Sequence, residues 1–353
     1  MQITEITNAF LGKTIIKEIA PIGGGNINKS FIVKSTVGDF ILQRVNTDVF
    51  NDPCSMMKNA IKICEHLKRK NIKTLAFVKK NINDEASDQY LLFDKDTQSF
   101  WRCMEYIANS GCIDYAENCM YANLTGYAFG KFINDCADLT EELTPTIPDF
   151  HNLSKRIDKL NALHDEKLVK NSSTATKAEN EYQKLSSLLE RINCNLRSDL
   201  PDRITHNDTK IANLLFTDKE IIVIDLDTVM SGKVTDDFGD SARSVASTAS
   251  EDEKDLAKIQ FDIEKFKSFT GGFAAGVKNI LTKDEIKALS SAPAYVTAEL
   301  SCRFLTDYYA GNVYFKTLYP EHNLDRAVNQ TALLADIIAK QTQINEIVYN
   351  SFT

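Results

Sequence analysis

Residues 206–213 read HNDTKIAN, and twelve positions past Asn213 stands Asp225, closing the apolar run IIVI. Nothing else in the chain limits its fold as tightly. A carboxylate (Asp208), a lysine two residues on (Lys210), an amide five residues on (Asn213) and a second carboxylate (Asp225) have to be delivered by a loop that runs into a short hairpin, LLF followed by IIVIDLD. Phosphoryl transfer from ATP needs such a set. One carboxylate orients the attacking hydroxyl and takes its proton, an amide and a second carboxylate hold the Mg²⁺ that neutralises the phosphates, and a lysine can offset charge on the transferring group. The plainer alternative is a polar turn before a strand. Spacing, residue types and strand context agree on the catalytic one.

The Asp-to-Asn interval equals that of the H-R-D-x-x-x-x-N catalytic loop of kinases, in which the metal-binding Asp lies on the following strand. HND in place of HRD is closer to the small-molecule kinases than to the protein kinases. A literal Asp-Phe-Gly at 237–239 competes for the metal role. It lies 24 residues past Asn213 and ends no strand, so Asp225 is the expected ligand, and Asp237 and Asp240 are expected to cap a helix starting near Ser241. Asp227 stays open between a second metal contact and a structural hydrogen bond.

The order of elements predicts an α+β, two-lobed, protein-kinase-like fold: a small antiparallel β lobe over 1–107 and a larger, mainly helical lobe over 108–353. TIIKEIAPI, FIVKST and FILQRV are apolar runs separated by glycine-rich turns, a hairpin series. Asp52-Pro53 starts a helix with Met57, Ile61, Cys64 and Leu67 on one face. TLAFVKK, YLLFD and SFWRCMEYI complete the sheet, and the hinge falls at Met104–Ile107. KNSSTATK (170–177) is expected to be a polar loop between helices.

Gly23, Gly24 and Gly25 occupy the first turn, where backbone N–H groups could approach phosphates closely. Together with Asn28, Arg44 and the hinge residues Glu105 and Ile107, they are the expected nucleotide contacts. The pattern is not G-x-x-x-x-G-K-[ST], which excludes the Walker-type NTPases. The third strand lacks the lysine that protein kinases use there. It offers Gln43 and Arg44, of which strand alternation allows only one to serve.

Composition sets limits. The chain has 353 residues, 43% apolar and 25% charged, as expected for a two-lobed soluble protein. A formal charge of −8 argues against a nucleic-acid partner. No apolar run reaches membrane-spanning length, and the first residues lack the pattern of a secretory signal. Eight cysteines without C-x-x-C spacing, and five scattered histidines, suggest neither zinc nor a disulfide framework. The expected setting is the cytoplasm, as a monomer or weak homo-oligomer.

The glycine turn, HNDTKIAN and IDLDTV together resemble the aminoglycoside phosphotransferase and choline kinase group. FILQRVNTDVF, ITHNDTKIANLLF, VIDLDTVMSG, DFGDSARS, EDEKDLAKIQF and YFKTLYPEHNLDR, spread over about residues 40–326, resemble more closely the N-acetylhexosamine 1-kinases. That resemblance implies ATP and Mg²⁺ as cofactors and the anomeric hydroxyl of N-acetylglucosamine or N-acetylgalactosamine as acceptor. It makes Asp208 the base, assigns Asn213 and Asp225 to the metal, and implies sugar contacts from Arg303 and Tyr314. Alternatively, Arg303 pairs with an acid such as Asp307, and Tyr314 fills the core. Asn26 stands where the family's glycine turn carries His, which leaves the preferred epimer open. Two other functions stay in view: an alcohol kinase of the same fold acting on choline, methylthioribose or an aminoglycoside, and a catalytically silent kinase-like binding protein.

Overall fold

The computed structural model describes residues 1–23, 28–81, 88–167 and 173–353. In chain order the elements are α1 (Ile3–Leu11), β1 (Ile16–Ile22), β2 (Lys29–Ser35), β3 (Asp39–Val45), α2 (Pro53–Arg69), β4 (Leu92–Asp94), β5 (Ser99–Glu105), β6 (Ser110–Gly111), α3 (Cys119–Cys136), α4 (Leu153–Lys167) and α5 (Ser173–Leu189). There follow β7 (Arg203–Thr205), β8 (Leu214–Thr217), β9 (Ile221–Val223), β10 (Met230–Gly232), α6 (Val234–Ala246), α7 (Ile263–Val277), α8 (Lys283–Leu289), α9 (Ala292–Ala310), α10 (His322–Ala339) and α11 (Gln341–Phe352).

They sort into two compact units. One comprises Met1–Gly111, Asp138–Pro148 and Leu215–Ser231, the other Cys112–Ala137, Asp149–Leu214 and Gly232–Thr353. The first unit is thus discontinuous, and the segment carrying Asp225 belongs with the N-terminal sheet. The reason is local. β8 pairs with β6 through Ser110↔Thr217 and Gly111↔Phe216, and the turn after β9 is tied to β5 and α2 by side chains described below.

The first unit is built on an antiparallel sheet of order β1-β2-β3-β5-β4. Strand alternation sends Val33, Leu42 and Cys103 to one face, where Ile6, Ala9 and Phe10 of α1 cover them. That helix is absent from the hairpin series expected of the sequence, although Ile6, Ala9 and Phe10 have helical spacing. α2 starts as predicted: the Asp52 carboxylate accepts from the Ser55 N–H at 3.0 Å, with Pro53 in the first turn. It buries Met56, Met57, Ala60, Ile63, Cys64 and Leu67. Ile61 is only partly covered. TLAFVKK forms no strand; it runs beside β5 with a lone bridge, Phe77↔Met104.

The second unit is helical. α9 is its central helix, packed against α4, α6 and α10. α3 and α7 approach closely at Gly126, Gly130, Gly272 and Gly276. A Cβ added at Gly272 would lie 2.0 Å from the Asn123 carbonyl oxygen, and one at Gly126 would lie 2.1 Å from that of Phe269. α5 begins at Ser173, so the expected polar loop 170–177 overlaps a helix where it is described. Among the described residues no helix is long and apolar enough to cross a membrane.

Candidate active site

The loop between β7 and β8 carries Asp208, Lys210 and Asn213 and is held from several sides. Asn207, before Asp208, has a left-handed backbone (φ 64°), which reverses the chain and which Asn tolerates better than most residues. The loop ends in a 3₁₀ turn over Ile211–Asn213. This turn swings the Asn213 amide back, so that Nδ2 donates to the Asp208 carbonyl at 2.8 Å and to Asp208 Oδ2 at 2.9 Å. Lys210 Nζ lies 2.9 Å from the other carboxylate oxygen, with Asp208 23% exposed and Lys210 44%. Both carboxylate oxygens are thereby oriented while the group stays accessible. Burial pushes the Asp208 carboxyl up, but the Lys210 ammonium, with His206 and the Asn213 amide, outweighs this and holds it at about 2. The same contact raises Lys210.

Asp237 and Asp240 do not cap a helix at Ser241. α6 begins at Val234, both acids lie inside it, and both serve the loop. Asp237 accepts the His206 N–H at 2.8 Å and the Asn207 N–H at 2.7 Å, and Asp240 accepts the Thr209 N–H at 2.9 Å. Burial pushes Asp237 up to about 7, with the two backbone donors pulling against it. The rest of the Asp-Phe-Gly triplet is structural. Phe238 sits among Phe266, Phe269 and Phe273, and a Cβ at Gly239 would lie 2.5 Å from the Ala292 carbonyl oxygen.

In the first unit, Asp225 follows β9 in a left-handed conformation (φ 58°) and opens a 3₁₀ turn, Leu226–Thr228. It remains partly exposed. Asp227 does not: it is 2% exposed and both its oxygens are engaged. Arg102 Nη1 and Nη2 grip Oδ1 and Oδ2 at 2.5 and 3.0 Å, and Asn28 Nδ2 donates to Oδ2 at 2.7 Å. Asp227 therefore has the structural role that the sequence left open. Asn59 Nδ2 donates to the Val229 carbonyl at 3.2 Å, tying the turn to α2.

The buried cation beside this turn is Arg102 of β5. Register pairs Arg102 with Gln43, and Arg44 with Trp101, so Arg44 shares a face with Leu42 and Cys103, the one that α1 covers. The arginine beside the turn is thus not Arg44 but Arg102, a residue not singled out from the sequence; its Nε donates to Gln43 Oε1 at 2.9 Å. Gly23 is exposed, and a Cβ there would meet nothing within 4 Å among the described residues. Gly24, Gly25 and Asn26 lie outside the described residues. Glu105 ends β5, its N–H donating to the Ala76 carbonyl at 2.9 Å. The Ile107 carbonyl accepts from Ser110 Oγ at 2.5 Å.

On α9 Arg303 faces three rings, its guanidinium carbon 5.7 Å from the centroid of Phe150, 5.6 Å from Tyr314 and 5.4 Å from Phe315. It does not pair with Asp307, which instead accepts the N–H groups of Val313, Tyr314 and Phe315. Tyr314 is 51% exposed and fills no core. The structure thus brings Arg303 and Tyr314 together as a partly open cation–ring site.

Asn213 and Asp225 also fit a metal in kind. They supply an amide oxygen and a carboxylate, the hard donors that Mg²⁺ and Ca²⁺ prefer. Asn213 Nδ2 is engaged with Asp208, and its Oδ1 accepts no hydrogen bond among the described residues.

An antiparallel-sheet unit, a larger helical unit and a loop presenting Asp208 and Asn213 define a kinase-like phosphotransferase fold. Residues 18–267 match the phosphotransferase enzyme family known as APH, and the chain belongs to that family. Its fold resembles that of the microcompartment-associated aminopropanol kinase (14% identity, 96% of this chain and 98% of that one, TM-score 0.62). It also resembles a choline/ethanolamine kinase family protein from Mesorhizobium loti (13%, 94% and 92%, TM-score 0.55). A third likeness is to the amicoumacin kinase hAmiN, solved with AMP-PNP, Ca²⁺ and Ami (13%, 98% and 93%, TM-score 0.56).

Proposed function

We propose that this chain is an ATP- and Mg²⁺-dependent kinase that phosphorylates the anomeric hydroxyl of N-acetylglucosamine or N-acetylgalactosamine. The observation that carries the phosphotransfer is the Asp208 carboxylate, aimed by the Asn213 amide and the Lys210 ammonium. Asp208 accepts a hydrogen bond from the sugar C1 hydroxyl and takes its proton as the oxygen bonds to the γ-phosphorus. The C1–O bond is untouched, so the anomeric configuration is retained. With a carboxyl held at about 2, Asp208 is a weak base while Lys210 rests on it. Transfer of that ammonium to the phosphoryl group would raise its basicity when it is needed. Asn213 and Asp225 would hold the metal, which would neutralise phosphate oxygens. Gly23, Gly24, Gly25, Asn28, Glu105 and Ile107 are proposed for the nucleotide, and Asn26 for the sugar.

The substrate assignment rests on Arg303. A cation already lies against Phe150, Tyr314 and Phe315, so a quaternary ammonium or protonated amine would meet like charge where ring faces would otherwise attract it. A neutral ligand bearing a carbonyl suits the Arg fork, and a sugar face suits Tyr314. The names of the structural neighbours favour a second reading, an amino-alcohol kinase, which this argument opposes. We place the protein in a reducing cytoplasm, to which its eight free thiols are suited.

Coupled ADP-release assays with the two N-acetylhexosamines, glucose, galactose, choline and aminopropanol test the assignment. A pocket built for an acetamido group leaves polar groups unpaired with a plain hydroxyl. The expected preference over glucose and galactose is therefore roughly ten- to hundredfold in kcat/KM. Equal use of glucose, or turnover of choline or aminopropanol alone, would overturn the hexosamine assignment.

A further inference from the structure

Against the loop that carries Asp208 lies a buried ion pair. His151 and Glu299 are 3% and 1% exposed. His151 Nδ1 lies 2.8 Å from Glu299 Oε2, and its Nε2 lies 3.0 Å from the carbonyl oxygen of Asn207, the residue before Asp208. With Glu299 ionised, as its lowered carboxyl implies, the carboxylate and the carbonyl can only accept, so both ring nitrogens donate and the ring is an imidazolium. The other carboxylate oxygen, Oε1, is buried and accepts no hydrogen bond among the described residues. Arg156 Nε lies 3.6 Å from it and Arg303 Nη1 4.0 Å. One carboxylate thus faces two directions, toward the loop through His151 and toward the proposed sugar-binding Arg303.

We propose that Glu299 and His151 are positioning residues that align the two ends of the acceptor site: the charged imidazole fixes the peptide carbonyl ahead of Asp208, and the same carboxylate orients the Arg303 guanidinium. The Arg303 arm rests on the function proposed above, whereas the His151 arm does not. Asn207 is held at both its backbone polar groups, the N–H by Asp237 and the carbonyl by His151, so the loop can shift only if one of these contacts is lost. His151 is itself anchored, in a left-handed conformation (φ 55°). Arg197 Nη1 and the Tyr295 hydroxyl donate to its carbonyl at 2.9 and 3.1 Å.

The charges around the ring support the imidazolium. Burial lowers His151, but Glu299, with smaller help from Asp236 and Asp240 on α6, outweighs this and brings it to about 9. Burial likewise raises Glu299, while His151, Arg303 and Arg156 hold it at about 2. The sign follows. The clamp is present below the raised value and is lost as pH climbs through about 9. Without the carboxylate, burial disfavours the charged ring, and the loss moves to lower pH.

The test uses the full chain, its Glu299→Gln and His151→Gln variants, and ¹⁵N-labelled histidine. In the wild type the ring assigned by His151→Gln should show two protonated nitrogens at neutral pH and titrate only in the alkaline range. In Glu299→Gln it should titrate at least about one pH unit lower, a shift of the size that loss of a paired charge gives. Turnover should fall at least ~10-fold in both variants, with KM for ATP within about threefold. KM for N-acetylglucosamine should rise in Glu299→Gln alone, and the alkaline limb of its rate profile should move with the ring. Neutral His151 in the folded wild type would overturn the proposal, as would a folded Glu299→Gln protein with full turnover and an unmoved limb. If no hexosamine is phosphorylated but ATP hydrolysis to water follows the same shift, the clamp stands and the sugar assignment falls.

Discussion

As the proposed base, Asp208 would have to meet one hydroxyl, and it is restrained at each oxygen, by Asn213 and by Lys210. Replacing Asp208 with Asn should lower kcat at least ~10²-fold while leaving melting temperature and nucleotide binding near wild type, checked by coupled assay and calorimetry. Lys210→Met removes the main influence holding Asp208 down. Its carboxylate should then protonate at higher pH, and the acid limb of the rate profile should move upward. For stability the sign is that of a depressed carboxyl: the contribution is present above the ordinary Asp value near 4 and fades as pH falls toward about 2. The two candidate metal acids separate by a titration. Asp225→Asn should raise the Mg²⁺ concentration needed for half-maximal rate. Asp237→Asn, which turns an amide NH₂ toward a backbone N–H, should lower the rate without changing that requirement. The opposite pattern would return the metal role to Asp237.

At the scale of elements, the crossing of α3 and α7 depends on glycines in contact with the facing backbone. Gly272→Ala should destabilise the protein by about 1–3 kcal/mol or more in urea unfolding, since the added methyl meets a carbonyl oxygen and not a movable side chain. Gly271, one residue earlier in the same helix, has nothing within 4 Å of its would-be Cβ. Gly271→Ala should stabilise by about 0.5–1 kcal/mol through helix propensity. The pair is informative because the substitution is identical and only the neighbours differ. A helical pattern marks α3 and α7 as helices. Which glycine touches a partner is invisible in it, because contact depends on how the two axes cross.

At the scale of the whole molecule, distant segments are joined by buried charge. Arg102 and Asp227 lie 125 residues apart and are each about 3% exposed at the side chain. Truncating Arg102 to Met would leave Asp227 buried without its counter-ion, at an expected loss of about 3–5 kcal/mol. Adding Asp227→Asn to Arg102→Met should recover part of that stability, read from unfolding midpoints. If the single variant unfolds like wild type, the pair does not hold the Asp225 turn in place.

The chain's own order determined the class of fold and singled out the acidic candidates for the site. Strand alternation, the Asp52-Pro53 helix start and the spacing of HNDTKIAN to Asp225 are local patterns, and local hydrogen bonding is enough to express them. What only the tertiary structure decided is which distant groups those residues meet. Arg102 and not Arg44 became the buried cation because register, which no single strand contains, places Arg102 across from Gln43. Asp237 and Asp240 became supports of the loop that carries Asp208 because α6 starts at Val234, well before Ser241, and brings both acids against that loop. His151 and Glu299, 148 residues apart, have no mutual signal in sequence. Their pairing exists because folding removes both from water into an interior where each charge needs the other.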